Sequence, residues 1–418
     1  MKIKSLIKTL ILFLLVFPLT NSFGQSTNSQ TIVNAIKDLA IYSRDILLDE
    51  EGKARGDYYI TDGTWSPYEP AWHTGQIIYS LVDAFQLTGD SSFLKAAIRA
   101  GNWWTSLEIR DNPNLNGMVR AIHGDGINYI VFATVTDGTA GLFKLYAQTG
   151  ISKYADIPLQ AGIWMIKHMY DSLNGVCYDI VDPQTGKVSK NYSPFWKDKE
   201  NPGLYDVARP NNEGSLFLDM FRYTSDNEYR TAFINLCESL LRLQGPEGLW
   251  MDFTPNNKST GSVHPRFNLW YAESLIDAYD LTGDKRYLEA AGRTAKWYAS
   301  VQQKDGTIYY TNFVDGKEPD RSSITGSATA FAGILWIRLS QKDPAFNFNE
   351  NIDRSLKWIL INRFPSTHPD RNLAGAALDT RTKIKKGKIS LINRDVGTPF
   401  AIRFLSLYHR TYLNPEQN

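Results

Sequence analysis

Apolar residues recur at three- and four-residue spacing along most of the chain, and Gly, Ser or Asp stops cut that periodicity into regular lengths. Glu69-Pro-Ala-Trp72-His73-Thr-Gly75-Gln76 opens one such amphipathic segment, and Leu87-Thr-Gly89-Asp90 closes it. The cassette returns at Trp270-Tyr271 and stops at Leu281-Thr-Gly283-Asp284. Looser copies end at Gln148-Thr149-Gly150 and at Tyr223-Thr-Ser-Asp226. After each stop a second helical segment begins. The pattern predicts twelve helices, over 31–48, 71–88, 91–107, 137–149, 151–171, 211–224, 227–243, 266–281, 284–303, 324–340, 348–362 and 397–413.

The connections before helices two, four, six, eight, ten and twelve are long, and those after them are short. That asymmetry predicts an all-α (α/α)6 toroid, with an incomplete ring or seven hairpins as variants. The even-numbered helices would line the axis, and helix one would close the ring beside the last. All the long loops would then fall on one face, at the N-terminal ends of the inner helices. Alternating stretches such as 175–188 and the basic run Thr382 to Asn393 predict short β-hairpins there. Terminators at Gly89, Gly150, Ser225, Gly283 and Ser340 space the repeats by about 60 to 75 residues, too wide for tetratricopeptide or ankyrin solenoids. Inner helices begin with small-residue turns: Thr74-Gly75, Asp137-Gly138, Glu213-Gly214, Thr325-Gly326 and Val396-Gly397. A glycine there lets backbones crowd near the axis. Helix eight breaks the rule with Val263-His264-Pro265-Arg266-Phe267-Asn268, and a rule-breaking position is a candidate for function.

Composition adds an address and a substrate class. Lys2, Lys4 and Lys8 precede an apolar run from Leu10 to Leu19, followed by Ser22-Phe23-Gly24. The run is too short to span a bilayer and reads as a signal peptide, residues 1–24. One catalytic domain, 25–418, follows; it should be periplasmic or secreted, with no membrane span. Without the leader's three lysines the formal charge moves from +1 to about −2. No basic stripe points to nucleic acid; an anionic substrate would need positive charge concentrated locally. Two cysteines, Cys177 and Cys237, do not make a disulfide framework, and Cys237 falls in an apolar helical pattern. The 11 Trp and 22 Tyr supply core bulk and platforms for the apolar faces of pyranose rings.

The hairpins, the aromatic-rich starts such as Trp72-His73-Thr-Gly75-Gln76 and the Leu-Thr-Gly-Asp stops resemble those of (α/α)-toroid carbohydrate enzymes. These are uronate polysaccharide lyases, unsaturated uronyl hydrolases and the helical domain of glucuronyl C5-epimerases. The resemblance covers about residues 30–414 as architecture. It implies an enzyme acting on a uronate-containing polysaccharide or oligosaccharide. The Arg-Gly-rich Trp motif of the unsaturated uronyl hydrolases is not found cleanly here.

Two chemistries compete. β-Elimination needs a base for the C5 proton, a neutraliser for the carboxylate and an acid for the leaving oxygen. Asn212 and Arg266 are candidates for the carboxylate, His264 with Tyr271 or Tyr310 for the protons, and His123 for either. Trp72, His73, Gln76, Asn211, Trp270 and Arg394 are candidate substrate contacts. Each has a structural alternative: Asn212 as a helix cap, Arg266 paired with Glu273, Tyr271 in the core, His264 bonded to backbone. Hydrolysis instead needs two carboxylates across a cleft, from Asp125, Asp137, Glu213 and Asp320, with Asp137 also suited to capping helix four. No metal-ligand spacing and no cofactor fingerprint appears, so neither a metal nor a cofactor is expected. Elimination is the leading expectation and hydrolysis the alternative.

Overall fold

The computed structural model describes residues 28–196, 202–385 and 387–414; the leader read at 1–24 lies outside them. Twelve long helices are present among the described residues. The first, α1, Ser29–Tyr42, runs on as a π-helical turn to Leu47. Then come α2, Pro70–Thr88, and α3, Ser91–Thr105, followed by α4, Phe132–Thr149, and α5, Lys153–His168. A single turn at Leu204–Val207 precedes α6, Leu216–Thr224, and α7, Asn227–Leu243. The last five are α8, Phe267–Thr282; α9, Lys285–Val301; α10, Gly326–Lys342; α11, Asn349–Ile361; and α12, Gly397–Tyr408. No described helix is long and apolar enough to cross a membrane.

The stops work by local chemistry. Gly89, Gly150 and Gly283 take left-handed φ of 69°, 69° and 73°, where a Cβ would be strained, and Ser225 follows at 62°. Each preceding threonine donates its hydroxyl to the carbonyl four residues back, as Thr88 does to Ala84 and Thr282 to Ala278. The aspartate that follows caps the next helix: Asp90 accepts from the Ser92 N–H, Asp226 from Glu228, Asp284 from Arg286. Ser340, expected as a stop, instead lies inside α10, which continues to Lys342 and ends at Asp343 without a left-handed residue.

The even-numbered helices follow one another around the ring: α2 meets α4, α4 meets α6, the turn Glu213–Ser215 that leads into α6 meets α8, α8 meets α10, α10 meets α12, and α12 returns to α2. The odd-numbered helices pack outside, with α1 against α12 and α2, so the ring is closed. The glycine turns do what their spacing predicts. A Cβ on Gly75 would collide with the Gly138 backbone, and one on Gly138 would lie 2.6 Å from the Ala71 carbonyl. Inner helices α2 and α4 therefore meet backbone to backbone. Cys177 and Cys237 are free buried thiols.

The long loops fold over one face as three small antiparallel sheets. The largest has seven strands, in the order β2, β1, β13, β12, β11, β10, β9. These are β1, Asp57–Tyr59; β2, Thr64–Ser66; β9, Ser262–Val263; β10, Tyr309–Phe313; β11, Asp320–Ile324; β12, Thr380–Lys385; and β13, Lys388–Asn393. A second sheet joins β3, Ile122–Gly124, β4, Ile127–Val131, and β7, Ile180–Val181; a third joins β5, Tyr170–Asp171, β6, Val176–Tyr178, and β8, Ala208–Arg209. The first sheet joins segments far apart in the sequence, where Tyr58 pairs with Asn393.

Candidate active site

A cavity of about 220 Å³ opens under these sheets, at the N-terminal ends of the inner helices. One wall is acidic. Glu69, Asp137 and Glu213 contribute to it, each under one-tenth exposed. Asp137 was expected to cap helix four; α4 instead begins at Phe132, so Asp137 sits in its second turn facing the cavity. Glu213 stands in a short 3-10 turn before α6. Gly214, at φ 70°, presses against the Thr136 carbonyl and the Asp137 Cα, which leaves no room for a side chain. That contact holds Asp137 and Glu213 beside one another.

The proximity has an electrostatic consequence. Burial, then the charges of Glu213 and Glu69, push the Asp137 carboxyl well above the usual carboxylate range, against the pull of Arg209 and Arg266. Burial also raises Glu213, to about 7, with Arg209 opposing and Asp179 and Glu69 adding to the rise. Asp137 Oδ1 and Glu213 Oε2 are buried with no protein partner. Arg209, packed over the Phe267 ring, is held by Asp179 at 3.0 Å and by the Thr254 carbonyl at 2.8 Å.

Glu69 is a strained residue. It precedes α2 with φ 43°, in the left-handed region that non-glycine residues avoid. Its N–H donates to the His123 carbonyl at 2.8 Å, and its carboxylate accepts from the Thr134 hydroxyl at 3.0 Å. The His123 Nε2 lies 3.4 Å from the same carboxylate. Asp125 also has positive φ, but it is exposed in an Asp-Gly hairpin turn that demands it. Asp320 is exposed on β11 and does not line the cavity.

The facing wall is basic. Arg266, 2 % exposed, donates to Ser327 Oγ at 2.7 Å and leaves its Nε without a protein partner. The expected Glu273 pairing is not made, since Glu273 turns to Arg338 and Arg403. Arg394 lies against Asp57 at 3.1 Å. Behind it His73 Nδ1 meets the Asp395 carboxylate at 2.8 Å. Asp57, His73 and Asp395 come within reach of a common ion; the Arg394 guanidinium already supplies positive charge there. Arg381 and Lys383, on β12, reach the rim.

His264 sits among the cations. Its Nδ1 accepts from the Arg266 and Phe267 N–H groups at 3.3 and 3.2 Å, which leaves the proton on Nε2, 3.5 Å from Tyr310 Oη. Burial, then Arg266, Arg394 and Arg381, hold its imidazole well below the usual histidine range. It is a neutral donor here. Trp72 and Trp270 complete the floor, with the Arg266 guanidinium 6.0 Å above the Trp72 ring.

The other expected residues lie elsewhere. Tyr271 is fully buried outside the cavity, 3.4 Å from Asn211. Asn211 donates to Asp179, and Asn212 turns outward to the Phe233 carbonyl and Cys237 Sγ. Neither contributes to the lining. His73 is behind the wall, and Gln76 faces a second cavity at the opposite end of the ring, bonded to the Asp137 carbonyl and to Arg403. That far cavity, about 750 Å³, is ringed by mutually paired charges such as Asp83 with Lys144 and Arg410. Glu69, Arg209, Arg381 and Lys383 were given no individual site role by the sequence. Glu69 had one legible signal, its place one turn before Trp72-His73, and the two β12 cations belong to the basic run.

The ring and its single-faced loops define the chain as an (α/α)6 toroid. The solved structures it resembles include cellobiose 2-epimerase from Bacillus thermoamylovorans B4167, 13% identical with a TM-score of 0.64 over 91% of this chain and 99% of that one. Unsaturated glucuronyl hydrolase from Bacillus sp. GL1 is 15% identical, with a TM-score of 0.63 over 92% and 98%. The GH76A α-1,6-mannanase from Salegentibacter sp. HEL1_6 is 13% identical, with a TM-score of 0.57 over 90% and 98%. These neighbours are sugar-processing enzymes of differing chemistry, and at such identity the likeness is one of fold. No protein-family model matches the chain, and no curated protein does.

Proposed function

We propose that the protein is a glycoside hydrolase that removes a terminal uronic acid from an acidic oligosaccharide. The observation that carries this reading is the buried pair Asp137 and Glu213, whose proton affinities are both raised inside one cavity. Two adjacent carboxyls in low dielectric cannot both ionise cheaply, so the pair holds one proton near neutral pH. It rests on Asp137, whose largest neighbouring charges are the carboxylates Glu213 and Glu69, whereas the largest neighbouring charge of Glu213 is Arg209. In the reaction the Asp137 carboxyl gives that proton to the glycosidic oxygen as the bond to the anomeric carbon breaks. Glu213, beside Arg209, takes a proton from the water whose oxygen bonds to that carbon. Arg266 and Arg394 hold the substrate carboxylate, and Trp72 packs on the sugar face. The glucuronyl hydrolase among the fold neighbours supports the substrate class. The apolar leader supports export to the periplasm or beyond.

A second reading, β-elimination, is favoured by one observation. Tyr310 Oη lies 3.5 Å from His264 Nε2 in the cavity that Arg266, Arg381 and Arg394 also line, so a hydroxyl and an imidazole stand together beside the proposed carboxylate-binding cations. Product analysis separates the two readings. Hydrolysis incorporates one water per cleavage, whereas elimination creates an ultraviolet-absorbing C4–C5 double bond and incorporates none. Asp137→Asn should abolish the first and spare the second.

A further inference from the structure

The substrate carboxylate has its cations in Arg266 and Arg394, yet the cavity carries two more at its rim. Arg381 and Lys383 are two apart on β12, and alternate strand residues share a face, so both present to the opening. The strand is pinned there: the Thr382 N–H donates to Ser323 Oγ at 3.0 Å and the Thr382 hydroxyl to the Ser322 carbonyl at 2.7 Å. Neither cation meets a carboxylate among the described residues. Arg381 instead lies 4.6 Å over the Tyr310 ring, and Lys383 donates to Tyr59 Oη at 3.4 Å. On the same hairpin Lys388 does have an acidic partner, Asp62 at 3.1 Å. Like charges facing Arg266 and Arg394 without neutralisation weaken the fold locally, so their retention at a cavity mouth points to an anion that arrives from outside.

We infer that Arg381 and Lys383 form a subsite for a second anionic group, a sulfate or a carboxylate, on the sugar adjoining the one removed. This rests on the proposed uronate specificity of the deeper cavity. Tyr59 and Tyr310, from β1 and β10, give that sugar an aromatic edge between the two cations. The preferred substrate is then doubly charged, with its two anions on neighbouring rings.

Calorimetry on the full chain carrying Asp137→Asn tests this without depending on turnover. The probes are a glucuronyl–N-acetylglucosamine disaccharide, its form sulfated on the glucosamine, and a diuronate. The sulfated or diuronate form should bind about tenfold tighter than the singly charged one, and added salt should erode that preference. In Arg381→Ala/Lys383→Ala the ratio should fall towards one, while Lys388→Ala should retain it. Preference for one doubly charged probe alone identifies sulfate or carboxylate as the anion. Equal affinities for all three probes, or a preference that survives the double substitution, would overturn the subsite. Failure of the hydrolase reading would show separately, as no increase in reducing ends when the wild-type chain meets the same disaccharides.

Discussion

Glu213→Gln should inactivate the enzyme and stabilise it, the second effect growing with pH. Glu213 is 3 % exposed, and burial lifts its carboxyl from the ordinary 4.5 to about 7. A carboxyl raised on folding binds its proton more tightly in the native state. Stability is therefore greatest below the unfolded value and is lost as pH rises towards the folded one. The displacement corresponds to roughly 3 kcal/mol of native-state cost once the group is ionised. Glutamine never pays it. The variant also relieves Asp137 of its largest neighbouring charge, which acts in the same direction. At about 2.1 cal/mol/K per residue of unfolding entropy, a chain of this length converts roughly 3 kcal/mol into about 4 °C. Calorimetric Tm values for both proteins between about pH 5 and about pH 8 measure it. The difference, variant minus wild type, should rise by about 3 °C across that range, since part of the cost is already present at about pH 5, while hydrolysis falls by a factor of about 10² to 10⁴. A pH-independent difference would refute the claim that Glu213 is a desolvated, pair-coupled carboxyl.

Other predictions follow from the same geometry. The pH–rate profile should be bell-shaped, losing activity below about pH 7 as Glu213 takes up a proton and again at higher pH as Asp137 loses its own. Arg266→Lys should raise KM for uronate substrates and lower kcat/KM by about 10- to 100-fold, because a bidentate contact becomes a point charge. Gly214→Ala should lower Tm and activity together, since the methyl group meets the Thr136 carbonyl and φ is 70°; a cost of about 1–3 kcal/mol, seen in denaturant titrations, is expected. Tyr271→Phe, which loses only a 3.4 Å contact to Asn211 outside the cavity, should keep kcat/KM within about twofold.

The ring was legible because its signals are local. Thr-Gly-Asp at the stops after α2 and α8, with Thr-Ser-Asp after α6, fixes a helix end and the next helix start within four residues, and the glycine turns mark the inner helices. The start of α4 was misplaced because Phe132-Ala-Thr-Val-Thr is rich in β-branched residues, which favour strand until packing against α2 overrides them. With that start Asp137 could be read either as a cleft carboxylate or as a helix cap, and the longer α4 removes the capping reading. Helix eight's departure from the glycine rule did mark the cavity, since His264, Arg266 and Trp270 line it. Asn212 and Tyr271 have suitable chemistry near inner-helix starts, but side-chain direction there depends on packing that spacing does not encode. The seven-stranded sheet joins residues 57 and 393, and Asp137 meets Glu213 across a backbone contact at Gly214. Neither juxtaposition has a local sequence signal.

The most direct test of the central claim is cleavage of oligosaccharides that carry both a terminal and a 4-linked internal uronate, in water enriched in heavy oxygen, with product masses and ultraviolet absorbance followed together. One labelled oxygen in the released sugar, no new absorbance, and loss of both label and cleavage in Asp137→Asn are the expected results. Unlabelled products with rising absorbance, undiminished in Asp137→Asn, would contradict the claim and make Tyr310 and His264 the groups that carry the reaction.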